Sequence, residues 1–166
     1  MSHSTDKNEI DLTQAIELMF FAYRDFVADP DKLLQAENLG RAHHRAMHFI
    51  GRQPGLSVAQ LLQILGITKQ SLSRVLKDLL NKGFVVQKIS TKDRRKRLLT
   101  LSAKGQAFLD ALIAPQHERF QQAMKKCDTE TLEAWQGFML HLLNNDNLPA
   151  ILKRFEQIKA ERDADR

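Results

Sequence analysis

Five polar side chains recur along the segment Thr68–Asn81: Lys69, Gln70, Ser73, Arg74 and Lys77. Lys69 with Ser73, Gln70 with Arg74, and Ser73 with Lys77 stand four residues apart, the spacing that lines side chains up on one face of a helix. Cations, an amide and a hydroxyl on such a face make and break no covalent bonds; their chemistry is recognition. Arg and Lys match the major-groove acceptors of guanine, and Gln matches adenine. A helix N-terminus, here opened by Thr68, favours a phosphate. Solvated helix positions carry the same residue types, so this face alone decides nothing. A few residues on, Lys92, Arg94, Arg95, Lys96 and Arg97 crowd around one acid, Asp93.

The distribution of charge separates recognition from mere solvation. The whole chain carries +5, but from Gly66 to Lys104 eleven Lys/Arg face only Asp78 and Asp93, a net of +9. The remaining residues hold fourteen basic and eighteen acidic side chains, a net of −4. A compact basic segment on an otherwise acidic chain is the footprint of a nucleic-acid binder, because neutralising phosphates releases counterions and supplies much of the affinity.

Other function classes find little support in the residues. There is no Gly-rich phosphate loop, no GxSxG and no credible Cys/His dyad, so no enzyme is expected. A single cysteine, Cys127, offers neither a disulfide nor a zinc spacing, which suits a reducing cytoplasm, and no cofactor or metal is expected. The polar start MSHSTDKNEID lacks a signal-peptide pattern, and no run of about eighteen apolar residues appears, so no membrane association is expected. His43, His44 and His48 invite a metal, but Arg41, Arg45 and Arg52 beside them oppose a cation. An anion pocket formed by Arg41, His44, Arg45 and His48, or plain packing, suits that group better. RNA binding would call for exposed aromatic side chains, and the basic segment contains only Phe84. A winged-helix module for protein interaction would need no basic loop. Both stay open as alternatives to duplex DNA.

The elements that must position these residues are legible from periodicity. Leu12, Ala15, Ile16, Met19, Tyr23 and Phe26 repeat at helical spacing until Asp29-Pro30, which should stop the helix. A second helix is expected from about Asp31 to Gly51, closed by the Pro54-Gly55 turn. Ser57 then caps a short helix to Leu65, and Thr68 caps the next, which ends before Gly83. Ala59, Leu61, Leu62, Leu65, Ile67, Leu72, Val75, Leu76 and Leu79 should pack inside. FVVQKI and RLLTL read as a hairpin around the polar loop Ser90–Lys96. Ser102 opens a further helix to about Lys126, with Pro115 expected to kink or break it. Asp128 caps a last helix, interrupted near Asn145-Asp146-Asn147 and resumed to about Glu161. The expected fold is mainly α, a winged helix-turn-helix of about six helices with a small β-hairpin wing.

Together these features resemble one family. The stretch ITKQSLSRVLKDLLNKGFVVQKISTKDRRKRLLTLSAKG is similar to the recognition helix, wing and following helix start of MarR-type transcription regulators, whose wing tip carries Asp-x-Arg, matched by Asp93 and Arg95. The similarity extends over about Ile10 to Leu143, and the run LGRAHHRAMHFI resembles a PetP-like subgroup. The resemblance implies a homodimer on duplex DNA, repressing or activating transcription. It implies a disordered tail at 1–9, a dimerisation helix at 10–30, a DNA-binding lobe at 31–104 and dimerisation helices at 105–163. Phe20, Phe21, Tyr23, Phe26, Trp135, Phe138, Leu148, Ile151, Leu152 and Phe155 would otherwise expose a large apolar patch, which a twofold partner would bury. The expected DNA-facing set is Ser57, Thr68, Lys69, Gln70, Ser73, Arg74, Lys77, Lys92, Asp93, Arg94, Arg95, Lys96 and Arg97. A small anionic or phenolic effector at the His/Arg group is implied by the resemblance only. The family's peroxide sensors carry their cysteine in the first helix, where this chain has none, so Cys127 is expected to be inert.

Overall fold

The computed structural model describes residues 11–91, 93–146 and 148–164; the expected tail at 1–9 and Lys92 lie outside the described residues. Among them seven helices and three short strands follow one another: α1 (Leu12–Ala36), α2 (Arg41–Arg52), β1 (Leu56–Ser57), α3 (Val58–Leu65), α4 (Lys69–Asn81), β2 (Val85–Ile89), β3 (Arg97–Leu101), α5 (Ala103–Met124), α6 (Thr129–His141) and α7 (Leu148–Ala164). The chain divides into two compact units, one ending at Arg119 and one beginning at Phe120.

The first helix departs from its sequence pattern. Pro30 does not stop α1, which continues to Ala36, and the second helix begins only at Arg41. A proline inside a helix leaves the carbonyl four residues back without its amide partner. Here that carbonyl, on Phe26, accepts a bond at 3.4 Å from the Gln116 side-chain amide of α5. Pro30 is itself buried with Val27 and Leu34, so packing offsets the lost bond. The true end is a Schellman turn: Leu39 N–H donates to Leu34 O at 2.8 Å and Asn38 N–H to Gln35 O at 3.0 Å. Asn38 supplies the left-handed residue it requires, with φ 53°. Pro115 likewise leaves α5 unbroken.

The core of the first unit joins α2, α3, α4, the sheet and the first half of α5. Ala46, Met47 and Ile50 of α2 meet Leu61 of α3, Leu72, Val75, Leu76 and Leu79 of α4, and Leu109 and Leu112 of α5. The expected inward set holds except at Ala59, which is exposed; Val58 packs in its place. Ser57 fixes that phase by capping α3, its Oγ accepting from Gln60 N–H at 3.2 Å. Gly66, in the left-handed conformation at φ 60°, ends α3 and lets the chain turn into α4.

The strands form an antiparallel sheet in the order β1-β3-β2, with Leu56 opposite Leu99 and Val85 opposite Leu101. At the base of the hairpin the backbone of α5 presses against Phe84. A Cβ on Gly105 would stand 1.9 Å from the Phe84 carbonyl oxygen, so only glycine fits. Phe84 is fully buried and stacks on Phe108 with centroids 4.8 Å apart.

In the second unit Asp128 caps α6, accepting from Thr131 N–H at 2.8 Å. Bonds from the Thr131 hydroxyl and backbone hold its carboxyl below the ordinary 3.8. No residue of α6 is buried. Trp135, Phe138 and Leu142 are exposed, as are Leu152 and Phe155 of α7. No helix among the described residues is long and apolar enough to cross a membrane.

Candidate nucleic-acid interface

α4 divides sharply into two faces. Leu72, Val75, Leu76 and Leu79 anchor it to the core, while Lys69, Gln70, Ser73, Arg74 and Lys77 are all exposed. Its start is fixed by Thr68, whose Oγ1 accepts from Ser71 N–H at 3.2 Å and donates to Ser71 Oγ at 2.9 Å. The first turn therefore presents Lys69 and Gln70, with Ser73 just behind them, from a fixed helix end, where amide N–H groups favour an anion. Ser57 does not join this surface. It is 8% exposed, and its hydroxyl is taken up by Gln60, donating to Oε1 at 2.7 Å. Its position is that of a cap holding α3 behind α4.

The wing tip is a built turn. Ser90 N–H donates to Lys96 O at 3.0 Å and Lys96 N–H to Asp93 O at 2.9 Å, closing the loop. Asp93 N–H donates to Ser90 Oγ at 3.3 Å. The Asp93 carboxylate accepts twice from Arg95, from the backbone N–H at 3.1 Å and from Nε at 3.3 Å. Arg95 is thus tethered at its Nε while its side chain stays 93% exposed. An exposed ion pair contributes little to stability; its effect is to give a long, mobile cation a direction. Arg94, Lys96 and Arg97 are also exposed.

Lys88 and Lys104, two more cations of the basic segment, behave differently. Lys88 is exposed on β2, an outer strand, and extends the positive surface from the tip toward the sheet. Lys104 is structural: its ammonium donates to Lys82 O at 2.9 Å and lies 4.4 Å from the centre of the Phe84 ring.

The His/Arg group of α2 is more heavily engaged than its spacing suggests. Arg41 forks onto Asp31 of α1, with Nη2 at 2.7 Å and Nε at 3.1 Å, and its guanidinium lies 5.5 Å from the Tyr23 ring centre. Its charge is already met by a carboxylate. His44 is partly buried, and that burial lowers its pKa below the ordinary 6.5, with Asp31 acting weakly the other way. Arg45 is exposed, and His48 lies edge-on to Phe49 at 5.3 Å. His43 turns away from both, toward α4: its Nε2 lies 3.2 Å from Asp78 Oδ2. Sequence pattern grouped it with His44 and His48, since a contact across 35 residues leaves no local signal.

A helix-turn-helix followed at once by a hairpin with a basic tip defines the winged helix-turn-helix class. Residues 37–96 match the model of the MarR family. The HTH-type transcriptional regulator PetP of Rhodobacter capsulatus is 39% identical over 148 residues, covering 89% of this chain and 87% of that one. Among solved structures, a MarR family transcriptional regulator from Silicibacter pomeroyi superposes with a TM-score of 0.65 at 21% identity, covering 82% of this chain and 96% of that chain. The S. aureus MepR-DNA complex does so with a TM-score of 0.61 at 16% identity, covering 79% and 95%. The chain belongs to the MarR family and is a transcriptional regulator of that family.

Proposed function

We propose that this regulator reads duplex DNA as a homodimer, with α4 in the major groove and the wing tip against the adjacent minor groove. The observation that carries the reading is the segregation of charge onto one exposed apparatus. The segment with a net +9 is the one that forms α4 and the wing, and the buried residues of α4 are all apolar. Lys69, Gln70, Ser73, Arg74 and Lys77 are the candidate readers of base edges and phosphates. Arg95, aimed by Asp93, is the candidate for a narrow A·T-rich minor groove, where negative potential concentrates. Lys88, Arg94, Lys96 and Arg97 supply phosphate contacts.

Pairing of two copies is supported within each unit. α1 exposes Leu12, Ile16, Phe20 and Tyr23, and the second unit exposes Trp135, Phe138 and Leu142, large apolar side chains of the kind that a partner surface buries. A twofold dimer brings two recognition helices about one turn of DNA apart, so the operator is a rough palindrome. An anionic or phenolic effector at His44, Arg45 and His48 would find one exposed cation there, and Arg41 only after leaving Asp31.

Competition for the purified chain between genomic duplex fragments, single-stranded DNA and folded RNA tests the reading. Retention of a duplex with a palindromic footprint is the expected result. Preference for RNA, or no nucleic-acid binding at all, would replace it with the RNA-binding or protein-interaction alternative.

A further inference from the structure

Asp78 is the only acid on α4 and lies one helical turn beyond Arg74. Side chains four apart on a helix are neighbours, so a carboxylate at this position competes for the Arg74 guanidinium with whatever lies outside. An arginine folded back onto its own helix does not reach a base. One oxygen of the carboxylate is engaged elsewhere, however: Asp78 Oδ2 meets His43 Nε2 at 3.2 Å, and among the described residues no ion pair joins Asp78 to Arg74.

The histidine is itself held. Gly40 N–H donates to His43 Nδ1 at 3.0 Å, which makes Nδ1 the acceptor and leaves the ring proton on Nε2, pointing at Asp78. The ring is largely shielded, its side chain 15% exposed, and it stands in the first turn of α2, a helix anchored in the core by Ala46, Met47 and Ile50. The relay Gly40–His43–Asp78 thus runs from a fixed backbone amide to the acid beside the candidate base-reading arginine.

We infer that His43 is a positioning residue for sequence readout: by holding the Asp78 carboxylate toward α2 through Oδ2 it keeps Arg74 available to DNA. This rests on reading α4 as the recognition helix. The required function explains why an acid is tolerated on a helix that otherwise presents cations. It also assigns His43 a role distinct from that of His44 and His48.

The test is the ratio of affinities for the footprinted operator and for a random duplex of equal length, measured at one salt concentration. His43→Leu lowers that ratio about two- to fivefold, the range set by a partly exposed ion pair that forms in place of a base contact. The same substitution is silent when Asp78 is Asn, and silent again when Arg74 is Ala. His43→Gln, whose amide still offers an N–H to Asp78, retains most of the discrimination. A loss of folded protein lowers binding to both duplexes alike and leaves the ratio unmoved. In the unsubstituted protein, the imidazole nitrogen shifts report the Nε2–H tautomer, a readout that needs no variant. Discrimination unchanged by His43→Leu, an equal loss in the Asp78→Asn background, or an Nδ1–H tautomer overturns the inference alone. A native chain that prefers no duplex overturns the DNA reading with it.

Discussion

Asp93 and His44 show how single side chains act here through what they hold. Charge counting makes Asp93 a liability, the one acid among six cations from Lys88 to Arg97. Its two bonds to Arg95 argue the opposite. Asp93→Ala and Arg95→Ala are each expected to weaken operator binding, and the double variant to lose less than the sum of the two, because the residues work as a unit. Tighter binding by Asp93→Ala would show that net charge alone matters. His44 answers to pH. Burial favours its neutral form in the folded protein, so the unfolded chain takes up the proton first. Stability is therefore full above the ordinary 6.5 and falls as pH drops below it, toward the lowered folded value. Thermal unfolding followed across that range should show the fall, and His44→Phe should flatten it. Roles of this kind were partly legible in the sequence: Asp-x-Arg at a turn is a local pattern, whereas His43 with Asp78 joins two helices and is not.

Among the elements, what could be read in advance was whatever local chemistry decides. Ser57, Thr68 and Asp128 each cap the helix their residue type announces. The hairpin strands follow their β-branched runs. What could not be read depends on partners distant in the chain. Pro30 obeys the local rule for a helix stop, and Gln116, at the far end of the unit, provides the hydrogen bond that lets α1 continue. β1 is two residues long and exists as a strand only because Leu56 and Ser57 lie against Leu99 and Leu98. Val58 and not Ala59 packs inward, a difference of one step of helical phase that the Ser57 cap sets. Gly105 tests the packing of α5 on the wing base most sharply. Gly105→Ala should destabilise the chain by about 1–3 kcal/mol or more, since the methyl group meets a backbone oxygen that has nowhere to go. Denaturant unfolding measures it, and a loss below about 0.5 kcal/mol, the scale of an ordinary surface substitution, would contradict the close approach.

For the molecule as a whole the proposed binding is electrostatic: a net −4 remainder carries a net +9 segment, and the counterions of DNA would be exchanged for α4 and the wing. Cys127 is exposed, and the chain has no second thiol to resolve it. Cys127→Ser should leave operator affinity unchanged in reduced and oxidised samples alike. The salt dependence of operator binding measures this exchange of counterions. The logarithm of the affinity should fall linearly with the logarithm of salt concentration, with a slope of about −0.9 for each phosphate neutralised and several phosphates per dimer. Replacing Arg94 and Lys96 together by Ala should make that slope shallower by about two for each lobe in contact. A nearly flat dependence, or a steep one that these replacements leave untouched, would contradict the assignment of α4 and the wing as the surface that holds DNA.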